Sequence, residues 1–327
     1  MKAANCIRAL AWVAAMIGLS IGGAPIPAVA QDYPAKPIRL LVGFPPGGNA
    51  DLGARIVAQK MSDGLGRAVI VENKTGGGGT VANAYVAKAN PDGYTLLLMI
   101  GGFVTQAATM KKLPYDSTRD FSPISLLVTY PIVIAVASDS EFKTLNDLIT
   151  YAKSNPGKLN YGAPIGTLYH LLAEMFSSMA GIDMTFVPYR GGSEPMTEVV
   201  AGRMDVLFEA ITNASPQLRG GKLRALAVTS ATPSPALPNV PPVAQTLPGF
   251  ETISFLALAA PAGVPRPIIE RLNGELRRVL DLPDVRQRFA DWGGQASPTS
   301  PEEMQQFVES EIAKWKRVAE SRNIRLE

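Results

Sequence analysis

The sequence predicts an α/β protein of two lobes around a cleft. Three observations carry that prediction: strand-like and helix-like segments alternate along the chain, three strand ends run through a glycine turn into a helix start, and the exported portion is long enough for two lobes of about 100 to 200 residues. Alternation of this kind is expected to build a parallel sheet, whose C-terminal strand ends open onto one crevice.

The first element is a targeting segment. Lys2 and Arg8 flank a basic start, Ala9 to Gly23 is almost wholly apolar, and Ala28-Val29-Ala30 fits the small-residue cleavage pattern. Residues 1–30 therefore read as a secretory signal cleaved after Ala30. The apolar run is short for a span and ends in Pro25 and Pro27, which argues against a permanent anchor. Removing 30 of 327 residues leaves 297, lowers the formal charge from +3 to +1 through loss of Lys2 and Arg8, and removes Cys6, the only cysteine. The exported chain then has neither a disulfide nor a thiol nucleophile. Its interspersed charges give no electrostatic footprint for nucleic acid. Later apolar runs are broken by glycine, proline or charge within about ten residues, so a soluble exported protein is expected.

The strand Ile38, Leu40, Leu41, Val42 breaks at Phe44-Pro45-Pro46-Gly47-Gly48, and a helix-like pattern begins at Asn49. Helix-start N–H groups have no partner inside the helix and carry partial positive charge, which suits a carboxylate or phosphate. Val69 to Val71 leads into Gly76-Gly77-Gly78-Gly79-Thr80 and a small-residue helix, and Thr95 to Ile100 follows the turn Pro91-Asp92-Gly93. Ile132 to Ala137 reads as a further strand. Thr144 precedes a helix through Leu145, Leu148, Ile149 and Ala152 that stops before Asn155-Pro156-Gly157.

A second block repeats the logic. Lys158 to Tyr161 is a short strand, 162–167 a turn, and Leu168 to Met179 a helix; Met184 to Pro188, Val206 to Phe208 and Leu223 to Val228 are further strands. Pro233 to Pro248 must be extended, since each proline lacks a donor and fixes its own φ. Pro265 to Leu280 places Ile268, Ile269, Leu272, Leu276 and Val279 on one helix face. Ser300-Pro301-Glu302-Glu303 combines a capping box with proline at the first helical position, and Met304, Phe307, Val308, Ile312 and Trp315 follow at helical spacing.

The three glycine turns, Gly47-Gly48-Asn49, Gly77-Gly78-Gly79-Thr80 and Gly166-Thr167, can converge on one ligand. Glycine could equally serve tight turns alone. The run at Gly76 lacks the third glycine of the dinucleotide fingerprint, and no phosphate-loop lysine motif occurs, so a nucleotide site is not expected. Catalysis is not expected either: His170 is the only histidine, no Gly-x-Ser-x-Gly elbow exists, and no His/Cys cluster could hold a metal. His170, one turn into the helix opened by Gly166-Thr167, faces the cleft or underpins it. Arg190, in Val187-Pro188-Tyr189-Arg190-Gly191-Gly192, could pair with an acidic ligand or serve as a salt-bridge partner. Glu209, after Val206-Leu207-Phe208, either meets a ligand donor or bonds the turn at Thr212 and Asn213.

Taken together, the chain resembles the Bordetella uptake gene family, the extracytoplasmic receptors of tripartite tricarboxylate transporters. The resemblance covers essentially all of the exported sequence. It rests on Tyr33-Pro34-Ala35-Lys36-Pro37-Ile38-Arg39, Phe44-Pro45-Pro46-Gly47-Gly48, Pro91-Asp92-Gly93-Tyr94-Thr95-Leu96, Leu159-Asn160-Tyr161-Gly162, Val187-Pro188-Tyr189, the run 221–229 beginning Gly221-Lys222-Leu223, and Ala260-Pro261-Ala262-Gly263. It implies a type II periplasmic binding protein: two α/β lobes joined by two crossing strands, closing on a small carboxylate held by main-chain and hydroxyl donors. On that reading residues 31–133 and 252–327 form lobe 1, and 134–251 form lobe 2. Phe44 to Asn49 and Gly166 to His170 match the two opposed binding loops. Three departures point to an altered pocket: Ala163-Pro164-Ile165-Gly166-Thr167 is one residue shorter than the usual loop, Glu209-Ala210 replaces Asp-Asn, and Gly101-Gly102-Phe103 replaces more polar residues.

The expected ligand-binding set is Phe44, Gly47, Gly48, Asn49, Gly78, Phe103, Gly166, Thr167, His170, Arg190 and Glu209, with no cofactor and no metal. The expected protein is a periplasmic monomer and not an enzyme, taking a small carboxylate to separate transmembrane transporter subunits. A sensor subunit and a secreted carboxylate-ester hydrolase are the rival readings.

Overall fold

A computed structural model describes residues 33–189 and 194–326. The signal segment, Cys6 and Arg190 to Gly192 lie outside the described residues. In chain order the elements are β1 (Ile38–Val42), α1 (Asn49–Leu65), β2 (Val69–Asn73), a 3-10 turn (Gly77–Gly79), α2 (Thr80–Ala87), β3 (Thr95–Ile100), α3 (Gly101–Thr109) and β4 (Phe121–Ala137). There follow α4 (Leu145–Ser154), β5 (Asn160–Pro164), α5 (Leu168–Ala180), β6 (Thr185–Tyr189), α6 (Glu194–Val200), β7 (Leu207–Ala210), α7 (Ile211–Arg219) and β8 (Leu223–Val228). The chain closes with β9 (Ile253–Pro261), α8 (Arg266–Asp281), α9 (Pro283–Asp291), β10 (Gln295–Ala296) and α10 (Pro301–Ser321).

The sheet is mixed rather than parallel throughout. β2, β1 and β3 run parallel, but β9 is antiparallel to β3 and to β4, so the order is β10-β4-β9-β3-β1-β2. β7 and β8 are antiparallel to the far half of β4, while β5 and β6 form a separate parallel pair. The long β4 is what departs from sequence expectation. Proline removes a ladder donor and normally marks a strand edge or bulge. Here Pro123 sits at a register shift, and Pro131 sits where β4 changes partners, from Ile253 of β9 to Ala210 of β7 at Ile132. Both prolines are therefore tolerated inside one 17-residue strand, of which sequence alone exposed only Ile132 to Ala137.

The change of partner is braced by threonines. Thr229 donates its N–H to Ile132 O at 2.9 Å and accepts the Ile132 N–H on Oγ1 at 2.9 Å, while Thr252 N–H donates to Thr229 O at 3.0 Å. Three separate chain segments meet there.

The helices obey their local signals. Thr144 and Ser300 both form capping boxes, accepting from Asp147 N at 3.1 Å and Glu303 N at 3.1 Å. The apolar stripe of α8 is buried, and Trp315 of α10 is fully buried with its indole N–H on Glu311 Oε2 at 3.0 Å. These stripes fix the helices against the sheet and leave the strand-end loops to form the site.

Candidate functional site

At the end of β1 the chain turns through Gly47, whose φ of +86° is a left-handed conformation that favours glycine, and Gly48 then caps α1 without a side-chain bond. The turn carries its own anion. Asp51, third residue of α1 and buried, accepts the Gly47 N–H at 2.9 Å, both Nε and Nη2 of Arg55 at 2.9 Å, and Asn73 Nδ2 at 2.9 Å. Arg55, with the Gly47 and Asn73 donors, outweighs burial and holds the Asp51 carboxyl at about 2. Asn73 also donates to Phe44 O at 2.9 Å. Phe44, half-buried, lies over the glycine run: a Cβ on Gly79 would stand 3.3 Å from its ring.

Gly76 to Gly79 all have positive φ, so this loop is closed to ordinary side chains. Gln106 of α3 pins it, donating to Gly78 O at 2.8 Å, and accepts from the Tyr115 hydroxyl at 3.3 Å, which in turn accepts from Asn83 at 2.9 Å. Gly78 thus faces Gln106, which a Cβ there would meet at 3.0 Å. Phe103 does not line the loop. It is 2% exposed, stacked on Tyr115 at 5.9 Å and edge-on to Phe121 at 5.2 Å, which makes it a core aromatic.

Across the molecule, Gly166 turns with φ +72°, and a Cβ there would lie 2.1 Å from Leu326 and 3.3 Å from Thr109. Its bare face therefore meets the C-terminal tail. The Gly166 N–H donates to His170 Nδ1 at 3.1 Å, and the imidazole stacks on Phe186 at 4.1 Å. Burial pushes the His170 pKa down, only partly offset by Glu174, so the ring stays neutral and underpins the loop. Thr167 caps α5, with its hydroxyl donating to Pro164 O at 2.8 Å.

Glu209, 2% exposed at the end of β7, accepts the Ala210 N–H at 2.8 Å and Asn213 Nδ2 at 3.1 Å, both on Oε1. Burial raises its pKa to about 7, against the hydrogen bonds from Asn213, Tyr169 and Ala210. The phenols of Tyr130 and Tyr169 face it: burial pushes both upward, and Glu209 adds to each shift.

Two of the sequence-predicted residues meet through a third. Asn49, first residue of α1, donates through Nδ2 to Thr212 Oγ1 at 2.5 Å and Asn213 Oδ1 at 2.7 Å, both on α7. Asn213 also holds Glu209, so a hydrogen-bonded path runs from the start of α1 to the start of α7. Nearby, the start of α3 approaches the start of α5, where a Cβ on Gly101 would lie 3.1 Å from Leu168. Sequence reasoning missed Asp51, Asn73, Gln106 and Tyr169. Asp51 alone had a local signal, an acid in the first helical turn four residues before Arg55.

A surface groove of about 460 Å³ along 129–131, 230–236 and 293–296 contains none of these loops. The strand-end geometry is the better guide, because polar groups converge there and in the groove Arg286 is already paired with Asp281. Among the described residues no cluster of metal-ligating side chains occurs, and no helix is long and apolar enough to cross a membrane.

Residues 53–324 match the family described as tripartite tricarboxylate transporter family receptor. BugT of Bordetella pertussis is 33% identical over 307 residues, covering 92% of this chain and 94% of BugT. Among solved structures, a protein of R. palustris with adipate superposes with a TM-score of 0.82 at 33% identity, covering 90% of this chain and 99% of its own. MatC from Rhodopseudomonas palustris with bound malate gives 0.77 at 32%, covering 88% and 99%. With this architecture and these loops, the chain belongs to the tripartite tricarboxylate transporter receptors, the periplasmic solute-binding family that includes the Bordetella uptake gene proteins.

Proposed function

We propose that this protein captures a small organic acid between its lobes and delivers it to the membrane subunits of a tripartite tricarboxylate-type transporter, without chemistry. The observation that carries the reading is the hydrogen-bonded closure of Asn49 on Thr212 and Asn213, which brings helix starts from two lobes together over a site rich in main-chain donors. Relatives holding adipate and malate supply the ligand class. A neutral His170 locked between Gly166 N–H and Phe186 suits support better than acid–base work.

Closure is a hinge motion about the point where β4 changes partners at Pro131 and Ile132 and where Thr229 meets Thr252. That point agrees with lobes formed by 31–133 with 252–327 and by 134–251. Gly48 and Asn49 offer main-chain donors to the ligand; Gly47 and Thr167, whose donors are engaged by Asp51 and Pro164, shape the two turns, and Phe44, Gly78, Gly166 and His170 hold the loops in place. The protein acts as a monomer in the periplasm, exported with cleavage after Ala30, and intact mass of the recovered protein should begin at Gln31.

The test is to denature protein purified from its own compartment and identify the released small molecule by mass spectrometry, then return it to ligand-free protein. At about 100 times its dissociation constant a ligand stabilises the fold by about 2.7 kcal/mol. Thr167→Ala should reduce that gain. Release of a compound without a carboxylate, or none that raises the melting temperature, would sink the organic-acid reading.

A further inference from the structure

Among the described residues two carboxylates are buried at helix starts, and only one of them has a cation. Asp51 is paired with Arg55, whereas Glu209 sits against Tyr169, Tyr130, Asn213 and the Ala210 N–H, with no cation contributing among the described residues. It lies beneath the interlobe contact, since the Asn213 side chain that donates to it also accepts from Asn49 of the opposite lobe.

An ionised carboxylate offers about four acceptor positions. The Ala210 and Asn213 donors take two on Oε1 and the Tyr169 phenol contributes a third hydrogen bond, so about one acceptor position remains for a further donor. A buried, incompletely satisfied anion is costly unless another donor completes it. A ligand carboxylate placed there would face like charge without a cation to divide the two.

We propose that Glu209 reads the far end of the ligand, so that the protein selects a monocarboxylic acid bearing a hydrogen-bond donor at its other end (ammonium, hydroxyl or amide) over a dicarboxylate of equal length. This rests on the organic-acid reading of the cleft. One carboxylate of the ligand is held by main-chain donors at the glycine turns, and the opposite end completes Glu209. Specificity of this kind is strong because an analogue that cannot donate leaves the buried acceptor unpaired. It also sets this chain apart from relatives seen with adipate and malate.

Calorimetric titration of ligand-free protein at pH 8 tests the assignment, using matched acids at two lengths. Succinate is compared with 4-aminobutyrate and 4-hydroxybutyrate, and adipate with 6-aminohexanoate and 6-hydroxyhexanoate; butyrate and hexanoate are the references. At whichever length binds, the donor-ended acid should bind about 10- to 100-fold tighter than the dicarboxylate. Glu209→Gln should shrink that ratio at least tenfold while leaving dicarboxylate binding no weaker. Equal or tighter binding of the dicarboxylate by the unaltered protein overturns the proposal and leaves the organic-acid reading standing. A ratio unchanged in a folded Glu209→Gln variant also overturns it, and if the variant does not fold the unaltered protein decides alone. Failure of every acid to bind overturns both readings.

Discussion

Asp51 and Glu209 occupy matching places in the two lobes, each a carboxylate 2% exposed where a strand gives way to a helix. Their surroundings drive them apart. Asp51 has Arg55, Asn73 and the Gly47 N–H, and titrates near 2; Glu209 has amide and phenol neighbours, and titrates near 7. The same residue chemistry at the same kind of site is therefore structural in one lobe and poised in the other. What decides is whether the chain supplies the counter-charge itself.

The comparison breaks most visibly in stability. Asp51→Ala removes the counterpart of Arg55 and strands the Gly47 and Asn73 donors, so urea unfolding at pH 7 should show a loss of about 3 to 4 kcal/mol. Because its folded pKa lies below the unfolded value, that contribution is present above about pH 4 and fades as pH falls towards 2. A loss under 1 kcal/mol would show that the turn does not depend on this carboxylate.

Glu209 should behave in the opposite sense. Its folded pKa lies above the unfolded value, so its ionisation weakens the fold progressively as pH rises from about 4.5 to 7. Glu209→Gln should then stabilise the ligand-free protein by about 3 kcal/mol at pH 8 and only about 1 kcal/mol at pH 5, read from denaturation curves at the two pH values. A pH-independent difference would mean that Glu209 already has its counter-charge.

The smallest effect belongs to the contact that joins the two regions. Asn49→Ala removes hydrogen bonds to Thr212 and Asn213, so stability should fall by about 1 kcal/mol, and small-angle scattering should report a larger radius of gyration for the ligand-free protein. Unchanged scattering would show that other contacts hold the lobes together.

Much of this was legible locally. The glycine turns, the helix start at Thr144, the capping box at Ser300, and the apolar stripes of α8 and α10 are written in residues three or four apart, and they formed as read. β4 was half hidden because Pro123 and Pro131 look like breakers until the bulge and the partner change that accommodate them are seen. Phe103 looked like a pocket residue because it follows a strand end, yet its ring turns inward to Tyr115 and Phe121. Of the two turn partners expected for Glu209, Asn213 bonds it while Thr212 bonds Asn49 instead, and the link from Asn213 onward to Asn49 spans 164 residues and leaves no local trace.

The 17-residue β4 has a consequence for how such a protein can be inherited. Its first half is a ladder rung of one lobe and its second half a rung of the other, within one compact body spanning Lys36–Glu327. A gene fragment encoding either lobe alone would carry a strand half of whose edge has lost its partner, an invitation to misassociate. The lobes are thus not interchangeable modules. They should melt in a single calorimetric transition, and variation in ligand choice must arise by substitution within the loops rather than by shuffling of halves.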